Sequence, residues 1–452
     1  MTVVGVDDTD SRVTGMCTTF VAHSIATALR DRGHDVDRVV LARLNPAVKH
    51  KTRGNAALAV HTDAPVAVVR GVASEVVDDC AQVDAPETNP GLVVAAGDPG
   101  DPDAIPDAVA AFAADAVHEL HDLADARELA SECGFAVESW GDGRGVVGAL
   151  AAVGAWRAFE DWTTEHIAYR ERERWGTDRD VDADALFDAA DDAYPGAWDT
   201  VDRETGDLVC VPRTPCPILL AVRGDDPEAC RRVVDDTVGA DGTESVRSRE
   251  TFVTNQGTDA HLRTGASLAD LGDDRAYRVD AVVATTPETR RGGHVFVGLA
   301  GGDAVVGPGG DATAIPAVDA ADDESVVREA AAFEPTKHFR DRVRSLVPGD
   351  RVTVCGEVSD GTLKLEKFAL RERVETELAT PDCPDCGRSM KSAGRDQGYR
   401  CRDCVTSAPG KVEAPLERDL EPGWYEVPPC ARRHLAKPLV RGGFDASTHP
   451  ER

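Results

Sequence analysis

Four cysteines near the C-terminus constrain this chain more than any other feature. Cys383 and Cys386 form one C-x2-C pair, Cys401 and Cys404 form a second, and fourteen residues separate the pairs. Two such knuckles can place four thiolates tetrahedrally around zinc. Every ligand is a thiolate, so the site would be closed and structural, and a zinc ribbon is predicted here. Gly387 permits a tight turn after the first knuckle. Basic residues flank both knuckles and Tyr399 lies between them, a make-up suited to RNA contact. The remaining eight of the twelve cysteines are scattered, as expected of reduced thiols in a cytosol.

The charge balance sets the conditions under which any partner is bound. The 452 residues carry 81 acidic and 50 basic side chains, a formal net charge of -31. A hydrophobic fraction of 42% is too high for a disordered acidic chain. Uniform acidity with little lysine suits the cytoplasm of a salt-accumulating cell, where the Debye length falls to about 3 Å near 1 M salt. There, nucleic acid can still be held by shape, hydrogen bonds and local basic islands. One island is the acid-free interval from Arg38 to Thr62, with Arg43, Lys49, His50, Lys51 and Arg53. Others hold Arg388, Lys391, Arg395, Arg400 and Arg402, then Arg432, Arg433, Lys437 and Arg441. No apolar run is long enough to span a membrane, and no signal peptide precedes the first strand, so a cytoplasmic protein is expected.

Hydrophobic patterning divides the chain into α/β units. Thr2 to Val6 reads as a buried strand and Thr18 to Arg32 as a helix closed by Gly33, with strands at Val36–Leu44 and Asn55–His61. Ile105 to Cys133 reads as a long helical stretch with a bend or break. A Gly-rich turn, "GDGRG", opens a helix on which Trp156, Phe159 and Trp162 are spaced as a core face. Residues 1–196 are taken as one domain. A strand–helix–strand pattern from Pro215, with later strands at 276–284 and 294–299, suggests a small split-βαβ domain over 197–325. Alternating valines at 352, 354 and 358 and an Asp360-Gly361 turn resemble an OB-type barrel, or a plain β-hairpin, over 326–378. The ribbon and a basic tail fill 379–452.

The chemistry-bearing residues begin with "VGVDDTDS". Asp7, Asp8 and Asp10 follow an apolar strand and precede Thr18 at the start of a helix. Carboxylates at a strand end, beside a helix N-terminus that favours phosphate, suit Mg²⁺ and a polyphosphate; a capped loop in an Asp-rich chain is the other reading. The segment Gly141 to Ala152 lacks the Lys-Ser/Thr ending of a Walker loop, yet its N–H groups and Arg144 could meet phosphates. The polar stretch "TNQGTDAHL", with Asn255, Gln256, Asp259 and His261, could position a substrate or simply be solvated.

Taken in order, "GVDDTDS…GMCTT", "RLNP…KTRGNAA", "GDGRGVVGALAA", "CPILLAVRG", "TNQGTDAHL" and the four-cysteine ribbon resemble the archaeal tRNA(Ile)-2-agmatinylcytidine synthetases, the TiaS family. The resemblance covers nearly the whole chain. It implies a multidomain α/β (α+β) architecture: a kinase-like α/β N-terminal domain, a ferredoxin-like domain, an OB-fold β-barrel and a zinc ribbon. It also implies a ligase that joins agmatine to the wobble cytidine of a CAU-anticodon isoleucine tRNA, using ATP, with phosphorylation of the cytosine 2-oxygen. By position, Asp7, Asp8 and Asp10 would hold Mg²⁺ and Thr18 would match the family's autophosphorylated threonine. Lys51, Arg53, Gly143, Arg144 and Gly145 are expected at the phosphates. Pro217, Arg223, Asn255, Gln256, Asp259 and His261 are expected on the agmatine and anticodon side, with Asp259 as a partner for the guanidinium. The segment departs from the family pattern at "RVTG" after "DDTDS" and at Phe20 after "CTT". The rival readings are a non-catalytic RNA-binding barrel-and-ribbon factor and a different ATP-dependent RNA enzyme. No protein partner is indicated.

Overall fold

The strand β1 (Thr2–Asp7) has no polar alternation because both of its faces are covered. It belongs to a first lobe that continues as α1 (Thr18–Asp31), β2 (Val36–Arg43), β3 (Ala56–Thr62), α2 (Val66–Cys80), β4 (Gly91–Ala96), α3 (Asp107–Asp115), α4 (Leu123–Glu132), β5 (Ala136–Ser139) and α5 (Gly145–Ala158). The computed structural model describes residues 1–49, 54–301, 327–395 and 397–452. The strands run antiparallel in the order β5-β4-β1-β3-β2. Val4, Val6, Leu58, Val60, Leu92 and Val94 point to one face, under α1 and α2. Val3, Ala57, Ala59, Val93 and Ala95 point to the other, under α3 and α5. The helical stretch expected over 105–133 is the broken pair α3 and α4. Trp156, Phe159 and Trp162 pack at the edge of this second core, with Trp156 and Trp162 stacked at 5.2 Å.

The second lobe is built from β6 (Thr163–Arg170), α6 (Ala183–Ala193), β7 (Ala197–Trp198), β8 (Ile218–Gly224), α7 (Pro227–Gly239) and β9 (Val246–Thr254). Its strands lie in the order β9-β6-β8-β7, which is the fourth, first, third and second of a βαββαβ ferredoxin-like unit. This unit begins at β6 and not near residue 197, because β6 pairs along its length with both β8 and β9. A short parallel contact, Val40↔Val253 and Leu41↔Thr254, joins β2 to β9 and fuses the two lobes into one nine-stranded sheet.

The third unit follows as β10 (Leu262–Arg263), β11 (Arg275–Val283), β12 (Glu288–Thr289), β13 (Val295–Gly301), β14 (Arg328–Ala332), α8 (Phe339–Arg344), β15 (Arg351–Ser359) and β16 (Thr362–Glu372). Pairing runs β11 to β13, β13 to β14, β14 to β16, β16 to β15 and β15 back to β11. That closed circuit of five strands is the OB-type barrel. The strands near 276–284 and 294–299 therefore belong to the barrel, not to the ferredoxin-like unit, since β11 spends its edge groups on β13 and β15. Asp360 and Gly361 both take positive φ, 51° and 74°, as a tight two-residue hairpin turn requires.

The ribbon comprises β17 (Thr376–Ala379), β18 (Lys391–Ser392), β19 (Tyr399–Arg400), β20 (Ser407–Ala408) and β21 (Val412–Pro415). The chain then returns to the barrel: β22 (Gly423–Glu426) pairs with β16, and β23 (Thr448–His449) pairs with β22. This returning segment is not the open basic surface expected from its sequence. Arg432 is buried between Asp199 and Glu426, Arg433 pairs with Glu357, and Arg441 reaches Asp161 and Asp225. Its arginines are spent on the rest of the molecule, and the segment is a brace. Among the described residues, no helix is long and apolar enough to cross a membrane.

Candidate functional site

A cleft of about 750 Å³ opens where the first lobe, the ferredoxin-like lobe and the brace meet. Its floor is the C-terminal end of β1 and the N-termini of α1 and α5. Asp7, Asp8, Asp10, Thr18, Arg144 and Gly145 all line it. Asp7 ends β1, and its Oδ1 accepts from the Asp8 N–H at 2.7 Å. Asp8 takes a left-handed φ of 56°, which turns the chain sharply out of the strand. Its Oδ2 accepts from Arg144 Nε at 2.8 Å and from the Asn89 N–H at 3.1 Å. Burial pushes the Asp7 carboxyl well above the usual carboxylate range, and the neighbouring Asp8 adds to this. Burial also raises Asp8, against the opposing pull of Arg144. Packed acidic oxygens in this state suit a hard cation, which would relieve both costs.

The glycine-rich turn serves this floor in a way different from the one its sequence suggests. The N–H groups of Gly143 and Gly145 are bonded to the carbonyls of Trp140 and Asn89, each at 3.0 Å, and the Arg144 N–H to Asp142. They are already bonded, within the turn or to Asn89, and are not offered to phosphate. Gly143 lies outside the cleft lining, so only the Arg144 side chain and Gly145 reach it. The glycines act by being small. A Cβ on Gly148 would collide with the Asp7 carboxylate, and one on Gly145 would come within 2.7 Å of the Asp7 carbonyl and 2.6 Å of the Gly91 nitrogen.

Thr18 is the first residue of α1, where free N–H groups and the helix dipole favour negative charge. Its hydroxyl accepts from Thr9 Oγ1 at 3.1 Å. Lys51 and Arg53 lie outside the described residues.

The residues expected on the substrate side divide. Arg223 lines the cleft from β8, directly across the strand pair from Glu165 on β6. Pro217 does not line it; its carbonyl accepts from the Arg170 N–H at 2.8 Å, while its neighbours Cys216 and Ile218 face the cleft. Asn255 and Gln256 are fully buried behind it. Asn255 clips the backbone of Arg43, accepting from its N–H at 2.7 Å and donating to its carbonyl at 3.0 Å. Gln256 Nε2 donates to Glu165 at 2.8 Å. These two amides bond cleft residues and do not line the cleft themselves. Asp259 is no free partner for a guanidinium. Its carboxylate takes Lys367 Nζ at 2.7 and 2.8 Å and the Lys437 N–H at 2.6 Å. His261 is buried against Glu366 at 3.2 Å. Both belong to the joint between the cleft and the barrel.

The lining residues that escaped the sequence reading as site residues include Arg43, Glu165 and His434. Glu165 left a trace, an acid inside the otherwise buried run "TTEHIAYR". Arg43 left another, at the edge of the acid-free interval. His434 left none, since it arrives on the brace. In the ribbon, one sulfur from each of Cys383, Cys386, Cys401 and Cys404 lies within 4.8 Å of the others, the arrangement of a structural zinc site.

The comparisons with known proteins agree with this layout. Family profiles described as the TiaS TCKD domain, the TiaS FLD domain and the TiaS C-terminal zinc ribbon domain match residues 3–64, 143–261 and 380–420. A curated relative from Haloquadratum walsbyi, an isoleucine-tRNA 2-agmatinylcytidine synthetase TiaS, is 50% identical over 100% of both chains. The chain belongs to the TiaS family. A second TiaS, from Methanosarcina acetivorans, is 40% identical over 97% of each chain. Among solved structures, a complex of TiaS with its isoleucine tRNA and ATP superposes with a TM-score of 0.85 at 37% identity, covering 100% of this chain and 99% of that one. A complex of TiaS with the same tRNA, AMPCPP and agmatine gives 0.82 at 35% identity, covering 100% and 99%. The TiaS FLD match includes β6 as well as β8 and β9, the strands that pair as the ferredoxin-like lobe.

Proposed function

We infer that this chain is an isoleucine-tRNA 2-agmatinylcytidine synthetase acting on ATP, agmatine and the CAU-anticodon isoleucine tRNA. The observation that carries the reading is end-to-end similarity to TiaS proteins, together with a cleft in which Asp7, Asp8, Asp10, Thr18 and Arg144 converge. The cytosine 2-oxygen is a poor leaving group. Phosphorylating it makes phosphate the leaving group; the agmatine amine then attacks C2, a C–N bond forms, the C–O bond breaks and the amine proton is lost. Asp7, Asp8 and Asp10 would hold Mg²⁺, which supplies charge neutralisation for phosphoryl transfer. Arg144 stands beside them to meet a phosphate oxygen, and Lys51 and Arg53 complete the phosphate set. Thr18, at the positive end of α1, is the acceptor or relay for the phosphoryl group. The exposed Lys391, Arg400 and Arg402 of the ribbon contact the tRNA body, and the enzyme works in the cytoplasm.

The test is product analysis. Purified protein in molar KCl with Mg-ATP, agmatine and the tRNA transcript should yield a cytidine heavier by agmatine less water. The product should be absent without ATP and lost in Asp8→Ala. Binding of the tRNA with no mass change under any salt would sink the reading in favour of a non-catalytic RNA-binding factor.

A further inference from the structure

The cleft wall also gathers two guanidinium groups and an imidazole from three separate parts of the chain. Arg43 comes from the end of β2, Arg223 from β8 and His434 from the brace. Arg223 Nη1 lies 3.2 Å from His434 Nδ1. A Cβ on Gly54 would stand 2.7 Å from Arg43 Nη1 and 2.8 Å from His434 Cδ2, so these two side chains flank the same small residue. The only carboxylate in the group is Glu165, 3.7 Å from Arg43 Nη2 and already held by Gln256. Arg43 Nε is buried and, among the described residues, has no hydrogen-bond partner. Burial pulls the Arg43 guanidinium below its ordinary range; Glu165 opposes this and Arg223 adds to it. Two neighbouring arginines facing one committed carboxylate, in a chain with a net charge of -31, are left short of negative charge. Paired guanidinium forks match the oxygens of a phosphate.

We propose that Arg43 and Arg223, with His434 as a positioning residue for Arg223, form an oxyanion subsite that takes a backbone phosphodiester of the tRNA beside the target cytidine. The proposal rests on the synthetase reading above. The tRNA is favoured over ATP as the source because the triphosphate already has the Asp8–Arg144 floor and the α1 N-terminus. His434 also rides on the brace that pairs with the barrel, a part of the chain separate from the carboxylate floor. Asn255 fixes the Arg43 backbone, Gln256 fixes the Glu165 beside Arg43, and His434 contacts Arg223, so each arginine is tethered before a ligand arrives.

The experiment uses full-length enzyme and an anticodon stem-loop in two forms, one natural and one with neutral methylphosphonates flanking the target cytidine. Wild type should show a KM for the natural stem-loop lower than for the neutral one by about tenfold or more, the range for hydrogen bonds to charged groups. Arg223→Ala should raise the KM for the natural stem-loop to that of the neutral one, and should be indifferent to the substitution. Its KM for ATP should stay within about twofold of wild type. Arg223→Lys should recover part of the loss, and His434→Ala should give a smaller rise. A rise in the KM for ATP without one for RNA would assign the subsite to the nucleotide and overturn the proposal. Wild-type enzyme that does not distinguish the two stem-loops would also overturn it, with no variant needed. Wild type that makes no modified cytidine at all is a different failure, that of the synthetase reading itself.

Discussion

Glycine at 148 is a functional residue with no functional group. A methyl there meets the movable Asp7 carboxylate, whereas a methyl at Gly145 meets backbone on two neighbouring segments. Gly148→Ala should therefore keep its melting temperature and lose kcat by about 10²-fold through displacement of Asp7. Gly145→Ala should lower stability by about 1–3 kcal/mol. Calorimetry and initial rates on both variants check this; equal loss of stability in the two would remove the distinction. His61 offers a second test. It is buried in β3 with neither ring nitrogen bonded, and burial, with Arg38 adding, pushes its pKa down to about 3. The unfolded chain takes up this proton near pH 6.5 and the folded one does not. Stability contributed by neutral His61 is intact above about pH 6.5 and falls as the pH drops, by about 2 kcal/mol at pH 5. Urea denaturation at constant salt should show that slope in wild type and a shallower one in His61→Leu. Residues that lie together in sequence could be grouped from it: Asp7, Asp8, Asp10 and Thr18 come from one strand–loop–helix passage and line one cleft. Asp259 was misread because its partner, Lys367, lies 108 positions away.

At the scale of elements, α5 shows why a glycine-rich helix start is ambiguous. The same pattern serves a phosphate loop or a helix pressed against a sheet. Here Gly5 and Gly91 on the strands face α5 so closely that backbone meets backbone, and the turn's N–H groups are closed. Nothing in "GDGRG" distinguishes the two, because the facing residues belong to other elements. The ribbon is the opposite case, since all its ligands are local. Its small core of Cys383, Met390 and Cys401 is separate from the other cores. Zinc binding should then supply most of its folding free energy, of order 10 kcal/mol in isolated modules. Chelation, or Cys401→Ser, should disorder the ribbon and raise the KM for tRNA while leaving the KM for ATP unchanged. A matching rise in both would show that the ribbon supports the cleft directly.

For the whole molecule, the excess of acid is carried by the two lobes and the barrel and not by the ribbon and brace, so folding must work against self-repulsion that salt screens. The melting temperature should rise by several degrees between about 0.1 M and 2 M KCl, as the Debye length shrinks from about 10 Å to under 3 Å. A midpoint that stays flat or falls would argue that the surface is balanced by its ion pairs. Fold classes were readable from local patterns, but lobe boundaries were not. Whether β6 joins the strands before or after it, and whether β11 and β13 join β9 or β15, depends on pairing between distant segments.

The brace gives the molecule an order of completion. Every other wall of the cleft comes from residues up to Arg223, yet His434 follows the barrel and the ribbon in the chain. On the ribosome, the carboxylate floor and the ferredoxin-like lobe emerge while that wall is still unmade. A chain interrupted between Arg223 and the brace would carry most of the described cleft lining and an open side. The cleft thus depends on a segment made after the barrel and the ribbon, and its last described wall forms only when that segment docks.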